Sequence, residues 1–432
     1  MRGISQRILA HPKYSKSLEW GKLIFMTGAA QVLVQATGLL TGIFIIRMLP
    51  TQEYAFYTLA NTMLGTMTIL ADGGISSGVM SQGGKIWRDR TELGKVLVTG
   101  MELRKKFAVF SLLVAVPVLV YLLWLQHAQP WVIILIVAAL IPAFFSALSD
   151  SLLETIPKLH QDIKPLQANQ AKVGLFRLFL SSASVFIFPF TFIALLANGI
   201  PRIIGNFRLR KMALRFADTS QPVDPVYQTE ILKMVKRRLP GAIYYCLSGQ
   251  ITVWLISILG TTRAIAQVGA LSRLGMVLSV FTVLFATLVV PRFARAESNR
   301  KLLISSSIKI MIVLIGICMV IMGIVYLFPE QLLWILGKQY ADLSDALMLS
   351  ILGSCIVLVM GCVFSLSTSR GWVINPAVSI PVNLLTIVAG ILLMDVSSLH
   401  GVLIMNIMVS SGQLLLLLGF LVIKLNGVKN EG

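Results

Sequence analysis

The chain has 432 residues, 56% hydrophobic and only 13% charged, with a formal net charge of +19 and a mean hydropathy of +0.83. Soluble domains carry about 25% charged residues, so the composition excludes a soluble fold and defines an all-α polytopic integral membrane protein. The four cysteines, Cys246, Cys318, Cys355 and Cys362, lie inside apolar runs without a C-x-x-C pair, and the four histidines are scattered near segment ends. The cysteines read as small packing residues rather than as metal or redox groups, and the histidines are too scattered for a metal site, so neither a metal site nor a cofactor is expected.

A basic leader covers residues 1–22. The first apolar run starts at Leu23 and lasts about 24 residues, too long for a signal-peptide core and without a small-residue cleavage signature, so it reads as a retained helix. Further runs follow at 54–72, 107–125, 131–153, 173–188, 190–207, 240–259, 268–290, 310–328, 347–367, 376–394 and 402–423, each near the length of a spanning helix. The fifth and sixth are short and divided only at Pro189. These twelve spans form an N-terminal six-helix lobe (23–207) and a C-terminal one (240–423). Between them lies a turn-rich and then basic linker (208–239), and residues 424–432 form a tail. Each half begins on the same side of the membrane, so the lobes are expected to be parallel repeats.

Loop charge sets the expected orientation. Of the 37 Lys and Arg residues, 31 lie on the side of the N-terminus and three, Arg47, Arg263 and Lys338, on the other. Both termini should therefore be cytoplasmic, in the inner membrane, with the basic face against anionic lipid. The charge is spread over short loops, which argues against nucleic-acid binding. The longest outward loop, PEQLLWILGKQYADLSDA (329–346), reads as a short amphipathic helix with solvated acids at Asp342 and Asp345. It leaves no room for an outer catalytic domain. Phosphate-loop, HExxH and GxSxG motifs are all absent from the sequence, so an enzyme is not expected.

The remaining Lys/Arg residues, Arg177, Arg202 and Arg273, lie within apolar runs, where an arginine needs a partner, a wet cavity or a route to the interface. Counted along the spans at about 1.5 Å per residue, Arg273 and Arg47 form an outer tier and Arg177 and Arg202 an inner one. A long stem reaching the headgroups competes with a cavity-facing role for each, most strongly for Arg47. Asp72, closing the second span before a Gly-Gly turn, is a charge-partner candidate; Asp150 and Glu154, four apart at the end of the fourth, are coupling candidates. Each also reads as an ordinary helix-end residue. Gly38 and Gly42 make a GxxxG, whose default meaning is close helix packing, and Pro142, Pro376 and Pro381 mark candidate bends.

The stretch Ile45–Met80, IIRMLPTQEYAFYTLANTMLGTMTILADGGISSGVM, resembles the first helical hairpin of Wzx-type polysaccharide flippases at Arg47, Leu49, Tyr54, Tyr57, Ala60, Asp72 and Gly74. VGALSRLGMV, running on to VVPRF, is similar to that family's eighth span at Val268, Gly269, Arg273, Leu274 and Pro291, and 332–352 resembles a later signature at Gly337, Tyr340 and Leu349. The resemblance implies membership of the MOP superfamily, shared with MATE exporters and MurJ, and two six-helix lobes around a cavity with alternating access. The implied substrate is an undecaprenyl-pyrophosphate-linked oligosaccharide, an O-antigen, capsule or exopolysaccharide repeat unit, moved from the cytoplasmic to the periplasmic leaflet. A polysaccharide polymerase and a chain-length regulator are the partners it suggests. Under this reading Arg273, Arg202, Arg177 and Arg47 meet the pyrophosphate. Two other readings stand beside it. A MATE-like cation-coupled multidrug exporter would need mid-span carboxylates, and a membrane-embedded glycan transferase or ligase would need paired outward acids.

Overall fold

The computed structural model describes residues 12–290, 293, 299–370, 372 and 374–427; Pro291, the leader up to residue 11 and the last five residues of the tail lie outside them. The described residues are helical throughout, with no strand. In chain order the helices are α1 Pro12–Met48, α2 Thr51–Asp72, α3 Ile75–Ile86, α4 Arg90–Leu125, α5 Pro130–Leu153, α6 Thr155–Leu159, α7 Ile163–Ile187 and α8 Thr191–Phe216. They continue as α9 Pro225–Leu259, α10 Thr262–Gly275, a 3-10 turn Met276–Leu278, α11 Ser279–Leu288, α12 Arg300–Leu327, α13 Pro329–Leu336, α14 Ser344–Ser369, α15 Pro376–Leu393 and α16 Leu399–Asn426. Twelve crossings arranged as two lobes result, with α10 and α11 acting as one interrupted crossing and α3, α6 and α13 as short surface helices.

Local chemistry explains the ends. Gly73 and Gly74 adopt φ of 49° and 102°, a left-handed turn that stops α2 at Asp72. Asp89 caps α4 by accepting from the Thr91 and Glu92 amides (2.9 and 3.1 Å), and Asn299 caps α12 in the same way. Pro225 and Pro376 occupy first-turn positions of α9 and α15, where a missing N–H costs nothing. Pro376 therefore starts a helix, whereas Pro142 and Pro381 lie inside theirs.

The spanning helices extend beyond their apolar runs, because a helix does not stop where lipid does. Most of the expected 208–239 linker is helical: α8 runs on to Phe216, α9 begins at Pro225, and the irregular turn is confined to 217–224. The first turns of α9 lie on the N-terminal lobe. Ile231 and Val235 join Ile75, Val79, Leu97 and Leu209 in a buried apolar cluster, and the Tyr227 hydroxyl donates to Glu92 (2.7 Å). Burial and the Glu92 carboxylate push the Tyr227 phenol up to about 12, so this clamp keeps its proton across the physiological range.

Among the described residues, eight helices are long and apolar enough to cross a membrane unaided: α4, α5 with α6, α7, α10 with α11, α12, α14, α15 and α16. The fully described crossings α2 and α8 fall short of this, and both line the cavity described below, with Tyr57 and Asn61 of α2 and Asn198 and Arg202 of α8 in its wall. By contrast, α12 is apolar all round beyond Lys309, with Ile312 64% and Met319 69% exposed, the surface expected of a lipid-facing helix.

Candidate functional site

A cavity of about 370 Å³ opens between the lobes, walled by α1, α2, α5, α7 and α8 on one side and by α10, the 3-10 turn and α11 on the other. Arg177, Arg202 and Arg273 all line it. The sequence placed them in two tiers; the structure sets them at one level. Each lies ten or eleven residues from the end of its helix at the face opposite the 217–224 turn, about 15–17 Å along the axis. Depth along the apolar runs gives two tiers because those runs begin or end several residues from the true helix ends.

The three guanidiniums differ in their surroundings. Arg202 pairs with Asp150 of α5 (Nε to Oδ2, 2.5 Å). Arg273 lies beside the hydroxyls of Tyr54 and Tyr57, its Cζ 6.0 Å from the Tyr57 ring centroid, and its Nη1 meets the Met276 sulfur at 3.7 Å. Arg177 has no carboxylate: its buried Nε has no hydrogen-bond partner among the described residues, and its charged neighbours are Arg202 and Arg273. None of the described lining residues is acidic. Three cations with one carboxylate in contact leave a surplus of about two positive charges. In a low-dielectric enclosure such a surplus attracts an anion strongly. Arginine's planar fork suits phosphate oxygens bidentately and cannot lose its proton. Tyr57, which accepts from Asn198 Nδ2 at 3.1 Å, and Asn61 add neutral polar groups to the wall.

The GxxxG has a different meaning here from helix packing. A Cβ on Gly42 would lie 3.1 Å from Arg273 Cδ, and one on Gly38 3.4 Å from Arg177 Nη2. The two glycines face guanidinium groups and clear space for them, while the close approach of α1 and α7 is made at Gly174 against Thr37. Gly42→Leu is therefore expected to fill the cavity and displace Arg273, lowering substrate affinity at least tenfold, about 1.4 kcal/mol, with little change in melting temperature. Binding by isothermal titration beside a thermal melt checks this.

The other candidates lie elsewhere. Arg47 sits outside the cavity: its Nε and Nη2 donate to the Ile335 and Trp334 carbonyls (2.8 and 2.5 Å), and its Cζ lies 4.6 Å from the Trp334 ring centroid. It caps the C-terminus of α13, the amphipathic helix read from the sequence, and ties α1 of one lobe to the other lobe. Gln126 reinforces this contact between lobes by donating to the Ser257 carbonyl and accepting from Thr262 Oγ1, both at 2.7 Å. Gly269 brings α10 against Thr58 of α2 so closely that a Cβ would clash. Arg47→Ala is expected to loosen this face by about 1–2 kcal/mol, five- to thirtyfold in an open–closed ratio. Spin labels at the exposed Gln52 and Arg263 should then report a longer-distance population.

Asp72 is bound by Arg104 of α4, whose guanidinium also donates to Ser76 Oγ (2.8 Å) and the Leu148 carbonyl (2.5 Å). Arg104 is only 4% exposed. Glu154 accepts from Lys158 and Gln170, each at 2.7 Å, and so is a local helix-end group. Sequence reasoning passed over Arg104 because MELRKKF reads as a basic loop; α4 carries it into the core. Glu53 accepts from the Thr191 amide and hydroxyl (2.7 Å each), tying the start of α8 to α2.

The sequence matches no family model and no curated protein. The fold does have solved counterparts. A multidrug resistance MATE family transporter of the MOP superfamily, in an inward-facing conformation, superimposes with a TM-score of 0.77 at 13% identity, over 92% of this chain and 96% of the other. The lipid II flippase MurJ, in an inward closed conformation, gives 0.70 at 14% identity over 91% of this chain and 87% of its own. A MOP superfamily transporter from Pyrococcus furiosus, described as having a binding pocket of reverse polarity that suggests a different function, gives 0.67 at 14% identity over 94% and 95%. With eight long apolar helices among its described residues, the chain is a multi-pass membrane protein that shares the two-lobe fold of these solved transporters.

Proposed function

We propose that this protein is a flippase that carries a polyprenyl-pyrophosphate-linked oligosaccharide, of the undecaprenyl type, from the cytoplasmic to the periplasmic leaflet by alternating access. One observation carries the reading: arginines from both lobes converge on a single cavity whose described lining holds no acid. A pyrophosphate matches that surplus of charge in sign and in oxygen geometry. Because Arg177 and Arg202 belong to one lobe and Arg273 to the other, an anion held among them bridges the lobes. Rocking the lobes would then expose it to one side and afterwards the other while the polyprenyl tail stays in lipid. A cation exporter finds no carboxylate on the described walls to hold its substrate. The 217–224 turn and both termini are cytoplasmic in this reading, which reporter fusions at each terminus would check.

The test is a reconstituted flipping assay. Purified protein in liposomes should move a fluorescent polyprenyl-pyrophosphate oligosaccharide between leaflets and leave cationic dyes where they are. Dye transport without lipid movement would overturn the assignment in favour of an exporter.

A further inference from the structure

A second cavity, of about 800 Å³, lies inside the C-terminal lobe. It is separated from the arginine cavity by the α10–turn–α11 crossing: Arg273 faces the first cavity, its neighbour Ser272 the second, and Met276 borders both. Their linings contrast. The second contains no acidic or basic side chain among its described residues. It has instead three amides on two helices, Asn383 of α15 and Asn406 and Gln413 of α16, with the hydroxyls of Ser279, Thr282 and Ser379. The rings of Tyr244, Trp372, Phe364 and Phe420 complete the walls. Amides and hydroxyls interleaved with aromatic faces are the complement of a sugar, whose edges carry donors and acceptors and whose faces are apolar.

Asn383 supplies an independent indication. Its side chain is 8% exposed, yet its Oδ1 accepts no hydrogen bond from any described residue. A buried amide oxygen left without a donor is unfavourable, and a ligand hydroxyl would supply the donor. The volume falls within the roughly 300–1,000 Å³ of small-molecule sites.

We propose that this second cavity is the glycan subsite, holding the first sugars of the lipid-linked substrate, and that it selects uncharged ones. The inference rests on the flippase reading and divides the substrate at the Met276 wall. The pyrophosphate stays with the arginines, and the attached saccharide crosses into the neutral chamber. Selection follows from desolvation: a uronate entering the second cavity would lose its water and meet no cation.

The experiment uses the full-length protein in liposomes and three probes: bare polyprenyl pyrophosphate, the same lipid carrying a neutral tetrasaccharide, and one in which the second sugar is a hexuronic acid. Wild type should move the neutral tetrasaccharide lipid at least tenfold faster than the hexuronic one. Asn383→Leu and Gln413→Leu should each slow the neutral tetrasaccharide probe at least tenfold while leaving the bare pyrophosphate lipid unchanged, which also shows that the variants fold. Equal transport of the neutral and uronic probes, or variants that carry the tetrasaccharide as wild type does, would overturn the subsite and leave the flippase reading intact. Variants that lose the bare lipid as well would show Asn383 and Gln413 to be structural, which also overturns it. Failure of wild type to move any of the three lipids removes the flippase reading and the subsite with it.

Discussion

Arg177→Gln should abolish most lipid-linked pyrophosphate transport while leaving the protein as stable as wild type, or more so. The three cavity arginines are unevenly paired. Arg177 has no carboxylate and a buried, unpartnered Nε, and it stands near two other cations. Its charge therefore opposes the empty cavity's stability and is free for a ligand. A hydrogen bond to a charged group contributes about 1.5–3 kcal/mol, so losing this arginine should weaken pyrophosphate binding by about ten- to a hundredfold. Removing like-charge repulsion should meanwhile hold or raise the melting temperature, the exchange of stability for function common at binding sites. Arg202→Gln provides the contrast. It strands Asp150, 17% exposed, without its cation, and so should lower transport and stability together. A flipping assay and a thermal melt on the two variants separate the roles. If Arg177→Gln melts well below wild type, the arginine is a structural group and the ligand argument fails.

The second large effect concerns stability. Asp72→Leu leaves Arg104 as a nearly buried cation without its carboxylate, and breaking one partner of such a pair costs about 3–5 kcal/mol. The damage should be concentrated where α2, α4 and α5 meet, because Arg104 also holds the Leu148 carbonyl and Ser76. The pair Asp72→Leu with Arg104→Met removes both charges and should recover most of the loss, since apolar replacement of a buried ion pair is often close to neutral. Thermal unfolding in detergent of the two single variants and the double variant measures the coupling. A double variant no better than the sum of the singles would show that Asp72 and Arg104 act independently. Asp72 then has a job at the linker end of the bundle, remote from the arginine cavity, although in sequence it sits in the same hairpin motif as Tyr57.

Much of the architecture was legible along the chain because hydropathy and helix-stop chemistry are local. Pro189 and the Gly73–Gly74 pair mark their turns whatever surrounds them, and twelve long apolar runs read as crossings without reference to packing. Three arginines in lipid likewise call for a cavity from their own energetics. Which groups share that cavity was settled by packing. Arg177 and Arg273 stand 96 positions apart and come to one level only when α7 and α10 dock against α1, in the space left by Gly38 and Gly42. The same glycine pattern would also serve a tight helix pair, and no local signal separates the two uses. Arg104 and Arg47 look alike in sequence, each at the edge of an apolar run. One is locked to Asp72 in the core, and the other caps a helix of the opposite lobe. A side chain's type and depth follow from its own stretch of chain. Its partner depends on helix rotation and on which helices become neighbours, and these are set jointly by every contact in the bundle.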